Sequence, residues 1–283
     1  MFKVGIIGSE NSHAAAFSEI FNLSGTYDDV RVTAIWGEDM EASRKIAEKC
    51  HVEIVRPMDM LRQVDAVMVT SRNGALHWGY VRPFIEAGKP AFVDKPLAND
   101  YAEAKSIIDL AAEKRVPLVG GSSLKLIADT LALKEAADEA RAKGELLGGN
   151  VYAPVSLDNP YGGFYFYSSH LIEIALTIFG YDPVAVNAVR TQAGVAVLLE
   201  YASYAVTLNY TESAYNYGGV VLTKGGAIGR EINMGDAYAR EAASFVNMLR
   251  TGESDIPARH LALPVRVLNA IEASYTAHNR QCL

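Results

Sequence analysis

The segment Ala87-Gly88-Lys89-Pro90-Ala91-Phe92-Val93-Asp94-Lys95-Pro96-Leu97 decides the fold. A helix ends at Gly88, residues 91–93 form a short buried strand, and that strand delivers Asp94, Lys95 and Pro96 to its carboxyl end. In an open α/β sheet this is the end at which ligands bind. A lysine held there by a following proline is a fixed cation beside a crevice. Around this segment, apolar strands at 3–7, 30–36, 52–55, 65–70 and 116–120 alternate with helices at 14–23, 40–50, 76–87 and 101–114. Such alternation predicts a parallel sheet with helices on both faces. Right-handed crossovers then make it doubly wound and Rossmann-like.

After Gly121 the pattern changes. A helix rich in Ala, Leu, Lys and Glu runs over 125–143 and stops at Gly144, where a glycine suits the end of a helix. Strands follow at 147–155, 184–190, 195–201, 205–210 and 220–222, with one inserted helix at 168–179 and two closing helices at 235–250 and 263–280. Strands this close together need tight turns, so a mostly antiparallel open sheet with helices is predicted. The fold class is α/β plus α+β, in two domains, 1–121 and 122–283, since 283 residues exceed what one core usually holds.

Half the residues are hydrophobic and 21% are charged, the profile of a soluble globular chain. A net charge of −7 argues against a nucleic-acid partner, which would call for a basic face. Two cysteines, Cys50 and Cys282, give no disulfide framework and point to a reducing, cytoplasmic setting. The opening apolar run is too short for a signal peptide and Glu10 interrupts it, while no run is long enough to span a bilayer.

Asp94-Lys95-Pro96 after a strand resembles the Glu-Lys-Pro signature of the Gfo/Idh/MocA family of NAD(P)-dependent sugar and polyol dehydrogenases. The order of elements after Gly121 is similar to that family's second half. The resemblance implies NAD as cofactor, or NADP, and a sugar, polyol or similar small molecule as substrate. It also implies a homodimer or homotetramer built on the open sheet.

Family members carry G-x-G-x-x-G after the first strand, for a tight turn and close approach to a pyrophosphate. Here the run is Gly8-Ser9-Glu10-Asn11-Ser12-His13, which keeps only the first glycine. A carboxylate at Glu10 would repel a pyrophosphate unless it turned away. In a shortened alignment His13 matches a histidine at the helix start, and the helix N-terminus still favours an anion, with Asn11 and Ser12 as further donors. Ser12 equally suits a helix cap. At the end of the second strand the position of the ribose-binding acid is taken by Gly37, and Glu38 follows one residue late. Glu38 and Asp39 either reach the ribose, which favours NAD over NADP, or place negative charge at a helix N-terminus. Thr70-Ser71-Arg72-Asn73-Gly74-Ala75-Leu76-His77 resembles the family's T-P-N-x-x-H segment along the cofactor, through Thr70, Asn73 and His77. Arg72 is either a phosphate contact or a solvated loop charge.

Hydride exchange with a secondary alcohol needs a proton acceptor and a cation that favours negative charge on the reacting oxygen. By resemblance Lys95 supplies the cation, against the plainer role of pairing with Asp94. His170 aligns with the family's catalytic histidine and Glu173 with an acid one turn on, but Phe166 stands where the family has an aspartate. A phenyl ring neither accepts a proton nor orients an imidazole, so a non-catalytic or regulatory ligand-binding protein on the same fold is the alternative. A lyase or hydrolase reaction with bound NAD as transient oxidant, known within the family, is a third. His170 with Glu173 makes half a metal site, and no further ligands flank it, so no metal is expected. Tyr165 and its aromatic neighbours either stack on a sugar face or simply pack. Ser122, Ser123 and Lys125 occupy positions where the family contacts substrate or nicotinamide.

Overall fold

The computed structural model describes residues 1–283. Its elements begin β1 (Phe2–Ile7), α1 (Ser12–Asn22), β2 (Val30–Trp36), α2 (Met40–Cys50), β3 (Glu53–Ile54), α3 (Pro57–Met60), β4 (Ala66–Val69), α4 (His77–Glu86), β5 (Ala91–Asp94), α5 (Tyr101–Lys114) and β6 (Leu118–Gly121). They continue α6 (Ala128–Ala142), β7 (Leu146–Val155), α7 (Tyr165–Phe179), β8 (Ala185–Thr191), β9 (Gly194–Glu200), β10 (Ala205–Glu212), β11 (Gly218–Thr223), β12 (Gly226–Glu231), α8 (Ala237–Thr251), α9 (Ala258–Ala277) and β13 (Gln281–Cys282). No helix is long and apolar enough to cross a membrane.

The first compact unit contains Met1–Gly121 together with Tyr238–Ala262. Its sheet has the order β3-β2-β1-β4-β5-β6, parallel throughout. Strand order reverses between β1 and β4, the topological switch point where such sheets bind ligands. Trp36, Ile7, Val69 and Val93 fall in one register row. The residues that follow them, Gly37, Gly8, Thr70 and Asp94, therefore share one edge. The chain leaves this unit after Gly121 and returns to it over Tyr238–Ala262 with α8, so the expected second domain, 122–283, is not one continuous unit. The reason is apolar cover: Phe245 of α8 is fully buried, with its ring centroid 6.2 Å from that of Phe21 and 6.4 Å from that of Phe92.

The second unit holds Ser122–Ala237 and Leu263–Leu283. Its seven strands run β12-β11-β7-β10-β9-β8-β13. They are antiparallel except at β7·β10, which pair in parallel. α7 is buried along most of its length, its Leu171, Ile172, Ile174, Leu176, Ile178 and Phe179 joining Val151, Val197, Val206 and Leu208 of the sheet in one core. α3, β12 and β13 lie outside the sequence expectations. Every residue of β12 is exposed, so it has no apolar alternation to read.

Candidate active site

The strand ends of the first unit form a tight polar corner. Gly8 has φ +112°, and a Cβ on it would come within 2.1 Å of the Ser71 backbone nitrogen, so only glycine fits the close approach of the two loops at the switch point. Thr70 Oγ1 donates to the carbonyls of Gly8 (3.1 Å) and Ile7 (3.3 Å), tying the β4 end to the β1 end. Ser9 is buried and shares a hydrogen bond with Ser43 Oγ at 2.7 Å.

The cap of α1 is Asn11, whose Oδ1 accepts from the His13 N–H. Ser12 is the first helical residue, and its Oγ lies 2.9 Å from the Tyr238 hydroxyl of α8. Capping thus falls one residue earlier than Ser12, because Asn11 keeps the extended backbone that a cap requires. Asn11 Nδ2 donates to Asp94 Oδ2 at 2.8 Å, and Asp94 Oδ1 accepts from the Lys95 N–H at 2.6 Å. Asp94 is fully buried and fastens the β5 end to the α1 start. Lys95 follows, only 5% exposed, and its peptide bond to Pro96 is cis.

His13 lies between two buried carboxylates, with Nδ1 3.4 Å from Asp94 Oδ2 and Nε2 3.4 Å from Glu241 Oε2 of α8. Burial works to lower its pKa, but Asp94 and Glu241 outweigh it and raise the imidazole above its usual 6.5. The donor atoms of these three side chains lie within 4.8 Å of one another, and a proton on the imidazole places a positive charge between the two carboxylates. Glu241 had no sequence signal, since one acid in an amphipathic helix is indistinguishable from a solvated one.

His77 is fully buried, and its Nε2 lies 2.9 Å from the Ser71 carbonyl. Burial holds its pKa below 6.5, so it is a neutral donor that shapes the β4–α4 loop. Asn73 Oδ1 accepts from the Ala75 N–H (3.1 Å) and from Asn99 Nδ2 (3.3 Å). Glu38 is exposed and accepts from the Tyr80 hydroxyl at 3.3 Å.

In the second unit, His170 Nδ1 lies 2.7 Å from Ser122 Oγ. One turn on, Glu173 Oε1 accepts from the Ser122 N–H (2.8 Å) and Oε2 pairs with Lys125 Nζ (2.7 Å). Lys125 and Glu173 are both buried, as is Ser123. Residues 122–125 are thereby fastened to the same face of α7 that carries His170. Tyr165 is committed elsewhere: its hydroxyl donates to Glu272 (2.6 Å) and accepts from Asn269 (2.8 Å) of α9. Burial and Glu272 push its pKa far up. Phe166 packs edge-on against Tyr167, with centroids 4.6 Å apart. Tyr217 meets the His170 ring edge-on at 6.0 Å, and burial raises its pKa well above that of an ordinary phenol; its position on the residues leading into β11 gave no sequence signal.

Residues 2–121 match the model of the oxidoreductase family with an NAD-binding Rossmann fold, Gfo/Idh/MocA. Among curated proteins, the chain is 26% identical over 214 residues to UDP-N-acetylglucosamine 3-dehydrogenase of Acidithiobacillus ferrooxidans, covering 73% of this chain and 63% of that protein. It is 46% identical over 77 residues to inositol 2-dehydrogenase of Agrobacterium fabrum, covering 26% and 22%. The matches span less than two thirds of the length of these relatives. Among solved structures, myo-inositol dehydrogenase of Lactobacillus casei with NAD(H) and myo-inositol superposes with a TM-score of 0.85 at 16% identity, over 100% of this chain and 97% of that one. The fold is that of the Gfo/Idh/MocA dehydrogenases in both units.

Proposed function

We propose that this protein is an NAD(H)-dependent oxidoreductase that interconverts a secondary alcohol and a carbonyl on a sugar, polyol or similar hydroxylated small molecule. The observation that carries this is Asp94-Lys95-Pro96 at the carboxyl end of β5, with Lys95 buried and Asp94 bonded to the α1 start. Two features suit a dinucleotide: the Gly8 turn, which admits no side chain, and a buried Glu10 Oε2 without a hydrogen-bond partner. Gly8, Ser9, Asn11, Ser12 and His13 would hold its phosphates, with Thr70, Asn73, His77 and Pro96 alongside. The Asn11 and Ser12 side chains already serve Asp94 and Tyr238, and the Gly8, Ser9, Asn11 and His13 N–H groups are bonded within the loop and to Trp36, so the attraction for phosphate rests on the positive end of α1. Bound nicotinamide supplies the two-electron acceptor or donor.

Lys95 is assigned to the reacting oxygen, where an ammonium favours developing negative charge. His170 is assigned to the proton at Nε2. With Ser122 Oγ accepting from Nδ1–H, Nε2 is left to take the proton as neutral imidazole in oxidation and to return it as imidazolium in reduction. Ser123 and Lys125 are assigned to substrate positioning. The assignment includes a reducing compartment, consistent with two free thiols at Cys50 and Cys282.

NADH titration followed by fluorescence, then NAD+ reduction with myo-inositol and other polyols and sugars, tests this. Lys95→Ala should keep NADH affinity and lower kcat by about 10²- to 10⁴-fold. No dinucleotide binding by the parent protein would refute the proposal. Binding without turnover on any substrate, with Lys95→Ala indistinguishable from the parent, would favour the non-catalytic alternative.

A further inference from the structure

Dinucleotide-binding sheets place an acid at the end of the second strand to accept hydrogen bonds from the adenosine ribose. Here that place holds Gly37, which is buried. A Cβ on Gly37 would lie 2.1 Å from Ser9 Oγ and 2.7 Å from Glu10 Oε2. It would also lie 2.7 Å from the Ser9 backbone nitrogen, which cannot swing aside, so no side chain can start from this position, and the β1–α1 loop brings a carboxylate of its own to the same place. The loop is fixed there by the Gly8 N–H and Ser9 N–H, which donate to the Trp36 carbonyl at 2.8 and 3.3 Å.

Resting on the dinucleotide reading above, we infer that Glu10 takes over the ribose-accepting role of the missing β2 acid and sets a preference for NAD(H) over NADP(H). Glu10 Oε2 is buried with no hydrogen-bond partner, and a buried acceptor in that state calls for a donor. Ribose hydroxyls are donors of that kind. A 2′-phosphate offers a dianion instead, and it would face the Glu10 carboxylate, on which Glu38 acts as a second negative charge and Arg72 as an opposing positive one. Glu38 itself is exposed and engaged by the Tyr80 hydroxyl, so it adds charge rather than the contact. Desolvation raises the Glu10 pKa against the opposing pull of the Glu10 and Arg72 backbone N–H groups, as expected for a carboxylate held out of water.

The test is titration of NADH and NADPH into the full-length parent, Glu10→Gln, Glu10→Ala and Glu38→Gln, by calorimetry, with melting curves to confirm folding. The parent should bind NADH more tightly than NADPH. Glu10→Ala should weaken NADH by about 10- to 100-fold, as for loss of a hydrogen bond to a charged group, while NADPH changes little. The nearly isosteric Glu10→Gln, which keeps the loop shape, should narrow the NADH/NADPH ratio in the same direction. Glu38→Gln should leave NADH affinity within about 5-fold. Unchanged or tighter NADH binding by folded Glu10 variants would overturn the inference, the tighter result marking Glu10 as an obstruction, and would leave the oxidoreductase proposal standing. A parent that binds neither dinucleotide would overturn both.

Discussion

His13 shows how much of the site's rigidity rests on one ring. It bridges Asp94 and Glu241 at 3.4 Å to each, and its pKa is raised above 6.5. The folded state therefore holds the His13 proton more tightly than the unfolded chain, and that stabilisation is full below pH 6.5 and lost as pH rises through the folded pKa. His77 tilts the other way: its folded pKa lies below 6.5, so it costs stability as pH falls from 6.5. His13→Gln removes the ring that bridges the two buried carboxylates and should cost about 3 kcal/mol at pH 6. In urea titrations at several pH values, this variant should also lose the decline in stability on the alkaline side. A parent-like slope in His13→Gln would contradict the bridge. Asp94, Lys95 and His13 were legible in the sequence because strand and helix ends are local signals. Glu241 was not, since it comes from α8, far along the chain, and nothing local marks its partner.

At the scale of elements, legibility followed the caps. α2 and α5 begin where the sequence reading begins them, because Asp39 accepts from the Glu41 and Ala42 N–H groups and Asp100 from those of Ala102 and Glu103. β12 was missed because both its faces are exposed, and α3 because four residues carry no period. Tyr165, read from the sequence as either stacking on a sugar face or simply packing, has its hydroxyl bonded to Glu272 and Asn269, since aromatic spacing at a helix start does not reveal which neighbouring helix receives it. α8 was read as a helix but not as part of the first unit. Its Phe245 is fully buried near Phe21 and Phe92. Phe245→Ala should cost about 3–5 kcal/mol in urea unfolding. A loss below about 1 kcal/mol, the level of an ordinary surface change, would show that α8 does not complete this core.

At the scale of the whole molecule, the seven-stranded sheet buries one face and leaves the other open. Register puts Val189, Ala196, Leu198, Thr207, Asn150, Val220 and Leu222 on the same open side, where Val189 is 60%, Leu198 39% and Leu222 42% exposed. We propose self-association through this face, as the homodimer or homotetramer expected from the sequence. Light scattering should give a multiple of 30.6 kDa, and Leu198→Glu should shift it toward the single chain. A 30.6 kDa particle for the parent would exclude the assembly.

The interrupted first unit has a consequence for synthesis. Residues 1–121 leave the ribosome before Tyr238–Ala262 have been translated. The intervening stretch takes on the order of ten seconds to make. During that interval the nascent first unit carries Phe21 of α1 and Phe92 of β5 without the helix that later covers them, a window in which a chaperone has an aromatic surface to hold.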